Sequence, residues 1–188
     1  MRCFIAIDIR EEIKAQLAKV QHELAGRVDI GKGDVKWVRA EAMHLTLKFL
    51  GEIRDADVVE ICRLVKKVAG RHRAFDFAVK EVGHFGGRSA RVLWVGAGQE
   101  SEPLSALQQD LEEQLDQAGW PKEARKFSAH LTLCRVRNTK AGAKLAEVTG
   151  QFRNFDLGVV RADSVSVYES KLTPQGPIYT CLGNYKLL

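Results

Sequence analysis

Cysteine is scarce and scattered. Cys3, Cys62, Cys134 and Cys181 form no C-x-x-C pair and stand beside no histidine at zinc-ligand spacing, which argues against a disulfide framework or a zinc site. Long apolar runs are missing as well. The opening Met1-Arg-Cys-Phe-Ile-Ala-Ile-Asp8 has an apolar stretch too short for a signal peptide and broken by Asp8, and no stretch approaches the roughly 18 apolar residues needed to span a membrane. A reduced, cytoplasmic protein is expected, with its cysteines as small core residues. No biased tract or collagen-like period occurs, so fibrous and disordered classes are excluded. Charge excess is small, 29 Lys and Arg against 24 Asp and Glu, for a net +5 that tilts toward anionic partners and decides nothing alone.

The 188 residues, 45% hydrophobic and 28% charged, suffice for one sizeable core in a single unit spanning 1–188. Phe4 to Ile9 reads as a strand and feeds a helix over Glu11–Ala25, where Ile13, Leu17, Val20 and Leu24 recur at helical spacing. Short strands are expected at Val35–Val38 and Met43–Leu50. A second helix runs from Asp55 to about Val68, with Val58, Val59, Ile61, Cys62, Leu64 and Val65 available for its buried face. Strand-like segments Phe75–Val82 and Arg91–Val95 follow, joined by the Gly-rich His84-Phe-Gly-Gly-Arg-Ser89. The pattern then repeats. Leu104, Leu107, Leu111 and Leu115 mark a helix stopped at Gly119-Trp-Pro121; Ser128–Cys134 is a strand and Ala141–Val148 a helix. Phe152–Leu157, Ser164–Tyr168 and Ile178–Leu187 close the chain as strands, free to cross back to a sheet begun near the N-terminus.

The most informative feature is a repeated tetrapeptide. His44-Leu-Thr-Leu47 recurs as His130-Leu-Thr-Leu133, 86 residues on (130 less 44). With 5 His and 6 Thr in the chain, roughly 0.16 H-x-T triplets are expected by chance, so two full copies point to two related lobes, each supplying one. In a strand, alternate side chains share a face. His44 and Thr46 should therefore point one way and Leu45, Leu47 and Phe49 the other, into the core; His130 and Thr132 likewise oppose Leu131 and Leu133. A pseudo-twofold axis between the lobes would set the motifs face to face across a groove.

Two facing imidazoles suit displacement at phosphorus or an acyl centre, where one group accepts a proton and another donates one. Each threonine hydroxyl can donate to a non-bridging phosphate oxygen, and with a nearby cation the pair can carry the charge without a metal. Arg135 is that candidate cation, although it lies one step out of the His130/Thr132 alternation and needs a bulge or the strand end to reach the groove.

These motifs resemble the 2H phosphoesterase superfamily, and within it the RNA 2′,3′-cyclic phosphodiesterase branch also called 2′-5′ RNA ligase. The resemblance extends to Arg2-Cys-Phe-Ile-Ala-Ile7, Trp37-Val38, His44-Leu-Thr-Leu-Lys-Phe-Leu-Gly51, Gly83-His-Phe-Gly86 and Val92-Leu-Trp-Val-Gly96, in order and across essentially the whole chain. It implies an α+β bilobal fold, with two antiparallel sheets flanking a central groove, helices outside and pseudo-twofold symmetry. It also implies cleavage of a terminal 2′,3′-cyclic phosphate to a 2′-phosphate, with His44 as proton donor, His130 as proton acceptor, Thr46 and Thr132 as phosphate ligands and Arg135 contacting phosphate or nucleotide. The expected substrates are RNA ends bearing the cyclic phosphate, tRNA fragments included. The protein is expected to act as a monomer, with no cofactor and no metal, and to be able to run the ligation of such ends.

Other signals are set aside. Gly26-Arg-Val-Asp-Ile-Gly-Lys-Gly33 nearly spells a P-loop, but Gly33 stands where Ser or Thr must hold Mg²⁺, and the segment follows a helix instead of a strand. His22, His72 and His84 are assigned surface roles. The basic residues Arg71, Arg73, Arg88, Arg91, Lys122, Arg125 and Lys126 fall in or near turns and would attract a polyanion wherever they border the groove. Phe85 is the first candidate for stacking on an unpaired base. The rival reading is a non-catalytic RNA-binding module retaining the fold.

Overall fold

Strand β1 (Arg2–Asp8) buries its five central residues. The computed structural model describes residues 1–174 and 176–188. After β1 come α1 (Glu11–Gly26), β2 (Val35–Trp37), β3 (His44–Glu52), α2 (Val58–Ala69), β4 (Phe75–Phe85) and β5 (Val92–Ala97). Then follow α3 (Glu102–Gln117), β6 (His130–Val136), α4 (Thr139–Thr149), β7 (Asp156–Ala162), β8 (Ser164–Thr173) and β9 (Gly176–Lys186). Helix α1 starts with Glu11 and Glu12 at its positive end and buries Ile13, Leu17, Val20 and Leu24. Helix α3 is capped by the Ser101 hydroxyl, which accepts from the Leu104 amide at 3.3 Å, and buries Leu104, Leu107, Leu111 and Leu115.

All pairing is antiparallel, in the order β7-β4-β5-β6-β3-β1-β8-β9, with β2 added against one end of β6. The two sheets expected from the resemblance are thus halves of one surface, β9-β8-β1-β3 and β6-β5-β4-β7. They are stitched together by a single residue pair, Leu45 opposite Leu131. The closing strands do cross back, β8 lying on β1. Beyond the stitch the β3–β6 pairing ends at the carbonyls of Leu47 and Leu133, the latter accepting from the Val38 amide at 2.9 Å. Each is met by a glutamine from the helix behind it: Gln21 of α1 donates to Leu133 at 2.7 Å, and Gln108 of α3 reaches Leu47 at 3.4 Å. Buried carbonyls need partners, and these two glutamines supply hydrogen bonds at equivalent places in the two lobes.

Several expectations are corrected. Phe49 does not enter the core; it is 54% exposed. A bulge in the β1–β3 register, where Ala6 faces Thr46 but Ile5 faces Lys48, reverses the alternation after Leu47. Lys48 is buried in its place, 1% exposed, with its ammonium 2.7 Å from Glu112 and 2.9 Å from the Pro121 carbonyl. A charge so buried persists only with such partners. Val59 lies on the solvent side of α2, and Cys181 is exposed on β9. The strand expected over Phe152–Leu157 begins only at Asp156, because Gly150–Phe152 forms a 3₁₀ turn that drives Phe152 into the core. His84 belongs to β4, not a turn; its ring bonds Thr149 Oγ1 at 3.1 Å and the Gly87 carbonyl at 3.0 Å. His72 is likewise half-buried and paired, 3.0 Å from Asp110. His22 is exposed.

Candidate active site

Because Leu45 and Leu131 both face the core, their neighbours on β3 and β6 face the opposite side. Continuing the antiparallel register by one residue each way sets His44 against Thr132 and Thr46 against His130. The four motif side chains therefore meet on one face of the stitch, each histidine opposed by the other lobe's threonine. Two short local sequences acquire a shared site only through this crossing.

Each imidazole is oriented in the same way. Nδ1–H of His44 donates to the Ala42 carbonyl at 2.9 Å, and Nδ1–H of His130 donates to the Ser128 carbonyl at 2.6 Å. With Nδ1 so engaged, Nε2 is the ring nitrogen left for other partners in both histidines. Aromatic walls complete the placement. Phe4 stacks on His44 at 4.5 Å and Tyr179 meets it edge-on at 5.2 Å, while Phe85 meets His130 edge-on at 5.0 Å. Trp94 stands across β5 from Thr132 and lies flat over Gly83, where a Cβ would collide with the indole ring.

Arg135 reaches the groove face by the route it required. The β5–β6 register is shifted between Leu93 and Trp94, so Leu133 and Cys134 both turn inward and Arg135 turns out. The bulge occupies the same place in the repeat as the one that exposes Phe49. His44, Thr46, Thr132 and Arg135 line one cavity of about 410 Å³. His130 and Phe85 lie outside this cavity, where the Phe85 ring rests on His130 and 38% of the residue is exposed.

Four residues near the site escaped sequence reasoning. Asp8 pairs with His44 across β1–β3, and its carboxylate accepts from Ser166 Oγ at 2.8 Å and from the Tyr168 hydroxyl at 2.7 Å. Lys36, Arg39 and Tyr179 line the cavity. Asp8 carried a usable signal as the polar end of an apolar strand. The others had none, since they stand on segments whose proximity depends on the fold.

Burial lowers the His44 pKa from 6.5 to about 4; the Ala42 hydrogen bond and the Asp8 charge oppose the shift, while Lys14 and His130 reinforce it. Burial also lowers His130, helped by the positive charge of Arg135 and opposed by the Ser128 hydrogen bond. A depressed imidazole has a definite signature. The unfolded chain takes up the proton near pH 6.5 and the folded protein only near 4, so the His44 contribution to stability is complete above 6.5 and is lost as pH falls toward 4. The urea midpoint is expected to drop over this interval, and the drop should be shallower in His44→Gln. A slope identical in wild type and variant would show that His44 is not buried neutral.

Among the described residues, no three or more His, Cys, Asp or Glu side chains are grouped to hold a metal ion. Among the described residues, no helix is long and apolar enough to cross a membrane.

A family described as LigT like Phosphoesterase matches residues 7–94 and 95–179, one match around each motif. An RNA 2′,3′-cyclic phosphodiesterase of Methanothermobacter thermautotrophicus is 32% identical over 188 residues, covering 100% of this chain and 99% of that protein. One from Thermotoga maritima is 38% identical over 185 residues, covering 97% and 93%. Among solved structures, TT0787 of Thermus thermophilus superposes with a TM-score of 0.81 at 25% identity, covering 100% of this chain and 98% of that one. Escherichia coli LigT complexed with 3′-AMP gives 0.79 at 26% identity, covering 99% and 97%.

Proposed function

The chain belongs to the LigT-like phosphoesterase family, and on that premise we propose that it is an RNA 2′,3′-cyclic phosphodiesterase, opening terminal 2′,3′-cyclic phosphates to 2′-phosphomonoesters. The observation that carries this reading is the stitch at Leu45 and Leu131, which turns two separated H-x-T motifs into one four-residue cluster with both Nδ1 atoms tied back.

A cyclic phosphodiester lying over the stitch meets a threonine from each lobe. Thr46 and Thr132 donate to the non-bridging oxygens, and Arg135 adds positive charge from the rim. Nε2 of His130 takes a proton from water as the water oxygen attacks phosphorus. The bond from phosphorus to O3′ breaks on the opposite side, and Nε2–H of His44 delivers a proton to that oxygen. The products are a 2′-phosphomonoester and a free 3′-hydroxyl. Burial depresses both imidazoles, and the charge of a bound anion is what allows His44 to hold its proton. A 5′-hydroxyl in place of water would give 2′-5′ ligation by the same transfers. Phe85 beside His130 offers a stacking surface for a base. We assign the protein to the cytoplasm as a monomer acting on RNA ends, tRNA fragments among them; its four free cysteines suit a reducing compartment.

The test is incubation with a nucleoside 2′,3′-cyclic phosphate in excess EDTA, with products separated as 2′- and 3′-phosphates. Activity is expected to persist and to yield only the 2′-isomer, since threonines and arginine do the work a metal would otherwise do. No turnover with or without added Mg²⁺ or Zn²⁺ would leave a binding module; recovery on adding metal would refute the two-histidine mechanism.

A further inference from the structure

The cavity beside His44 holds more positive charge than one cyclic phosphate can use. Arg2, Lys36, Arg39 and Arg135 all line it, and among the described residues no Asp or Glu does. None of the four makes an ion pair with a described residue. Lys36 stands directly opposite Arg135 across the β2–β6 pair, a like-charge placement that costs stability unless bound anions neutralise it. Arg39 is steered toward the same space by a 3.3 Å hydrogen bond from its Nη2 to the Pro177 carbonyl at the start of β9. Tyr179 shows how closely the charges converge. Burial raises its hydroxyl pKa, and the charges of Arg135 from one lobe and Arg2 from the other both act against that rise.

The terminal cyclic phosphate is a monoanion that Thr46, Thr132 and Arg135 already serve. From the remaining cations we infer a second phosphate site, formed by Lys36, Arg39 and Arg2, that takes a phosphate on the 5′ side of the terminal nucleoside. The inference rests on the terminal phosphate lying over the stitch. Tyr179 and Phe4, whose ring centroids are 5.0 Å apart, line the same cavity and would give the nucleoside an apolar surface. The site thus distinguishes a substrate with at least two phosphates from a bare nucleoside cyclic phosphate. The second phosphate can be an internal phosphodiester of an oligonucleotide or a 5′-monophosphate.

Three substrates separate these cases: adenosine 2′,3′-cyclic phosphate, its 5′-phosphorylated form, and a dinucleotide ending in a 2′,3′-cyclic phosphate. The dinucleotide is expected to exceed the nucleoside by about 10-fold or more in kcat/KM, mainly through KM. Its dependence on salt should be steeper by about 0.7 in the log–log slope, the value for one more phosphate contact on a single strand. Lys36→Gln and Arg39→Gln, both at exposed positions, should each lower the dinucleotide-to-nucleoside ratio by about 3- to 10-fold. A matching gain for the 5′-phosphorylated nucleoside would assign the site to any 5′ phosphate, and a gain for the dinucleotide alone would assign it to an RNA strand. Equal kcat/KM on all three substrates, or a ratio that neither variant moves, overturns the second site while leaving cyclic phosphate hydrolysis intact. If none of the three is hydrolysed, the proposed function fails instead. Calorimetric binding of the dinucleotide 2′-phosphate against adenosine 2′-phosphate, in wild type and both variants, then decides the second site by the same ratio.

Discussion

Alanine at either His44 or His130 is expected to lower kcat on a 2′,3′-cyclic phosphate by about two to four orders of magnitude, the range for loss of a positioned general acid or base. The two losses should not multiply in the double variant, because one proton transfer without the other leaves the displacement incomplete. Folding should survive. Each ring lies on the groove face, and among the described residues its only hydrogen bond is to a backbone carbonyl two residues away. Circular dichroism and thermal midpoints near those of wild type would establish this before rates are compared. Near wild-type turnover in either single variant would refute acid–base catalysis by the pair.

Thr46→Val and Thr132→Val are expected to lower kcat by about 10- to 1000-fold, as when one preorganised donor to a developing oxyanion is removed. Valine nearly keeps the shape, so the loss isolates the hydroxyl. Each threonine stands across the stitch from the other lobe's histidine, which raises a second possibility, that the hydroxyl tunes the imidazole. The pH profile separates the two. A phosphate ligand leaves both limbs of the bell in place and lowers its plateau; an imidazole partner shifts or removes one limb. A threonine variant with an intact plateau and a missing limb would end the phosphate-ligand assignment.

The face shared by His44 and Thr46, and by His130 and Thr132, was legible in the sequence because it depends only on strand periodicity over three residues. Phe49 and Arg135 were not legible in the same way. Alternation placed Phe49 in the core and left Arg135 a step out of phase, and one bulge in each strand reversed both. A bulge is a property of a pair of strands, so neither strand's own residues announce it. Lys48 reads as a surface lysine until Glu112 and Pro121, more than 60 residues away, are brought to its ammonium group. The basic residues that drew notice in the sequence were those clustered along the chain, such as Arg71, whose guanidinium binds Asp110 at 2.8 Å. The cations that line the cavity are dispersed through the sequence, and only the fold collects them.

By itself the sequence determined the repeat, the helices carrying leucine at three- and four-residue intervals, and the identity of the four motif residues. These are consequences of local spacing and of a hydrophobic periodicity that any compact fold must respect. Tertiary structure alone decided that the motifs touch at one residue pair, that the β3–β6 pairing ends beyond it, and that Arg135 lines the cavity with His44. It also decided that Lys36, Arg39 and Tyr179 share a cavity with His44. The physical reason is that cross-strand register, bulges and the meeting of like charges are set by the free energy of the whole packed sheet and its buried carbonyls, to which residues far apart in the chain contribute jointly.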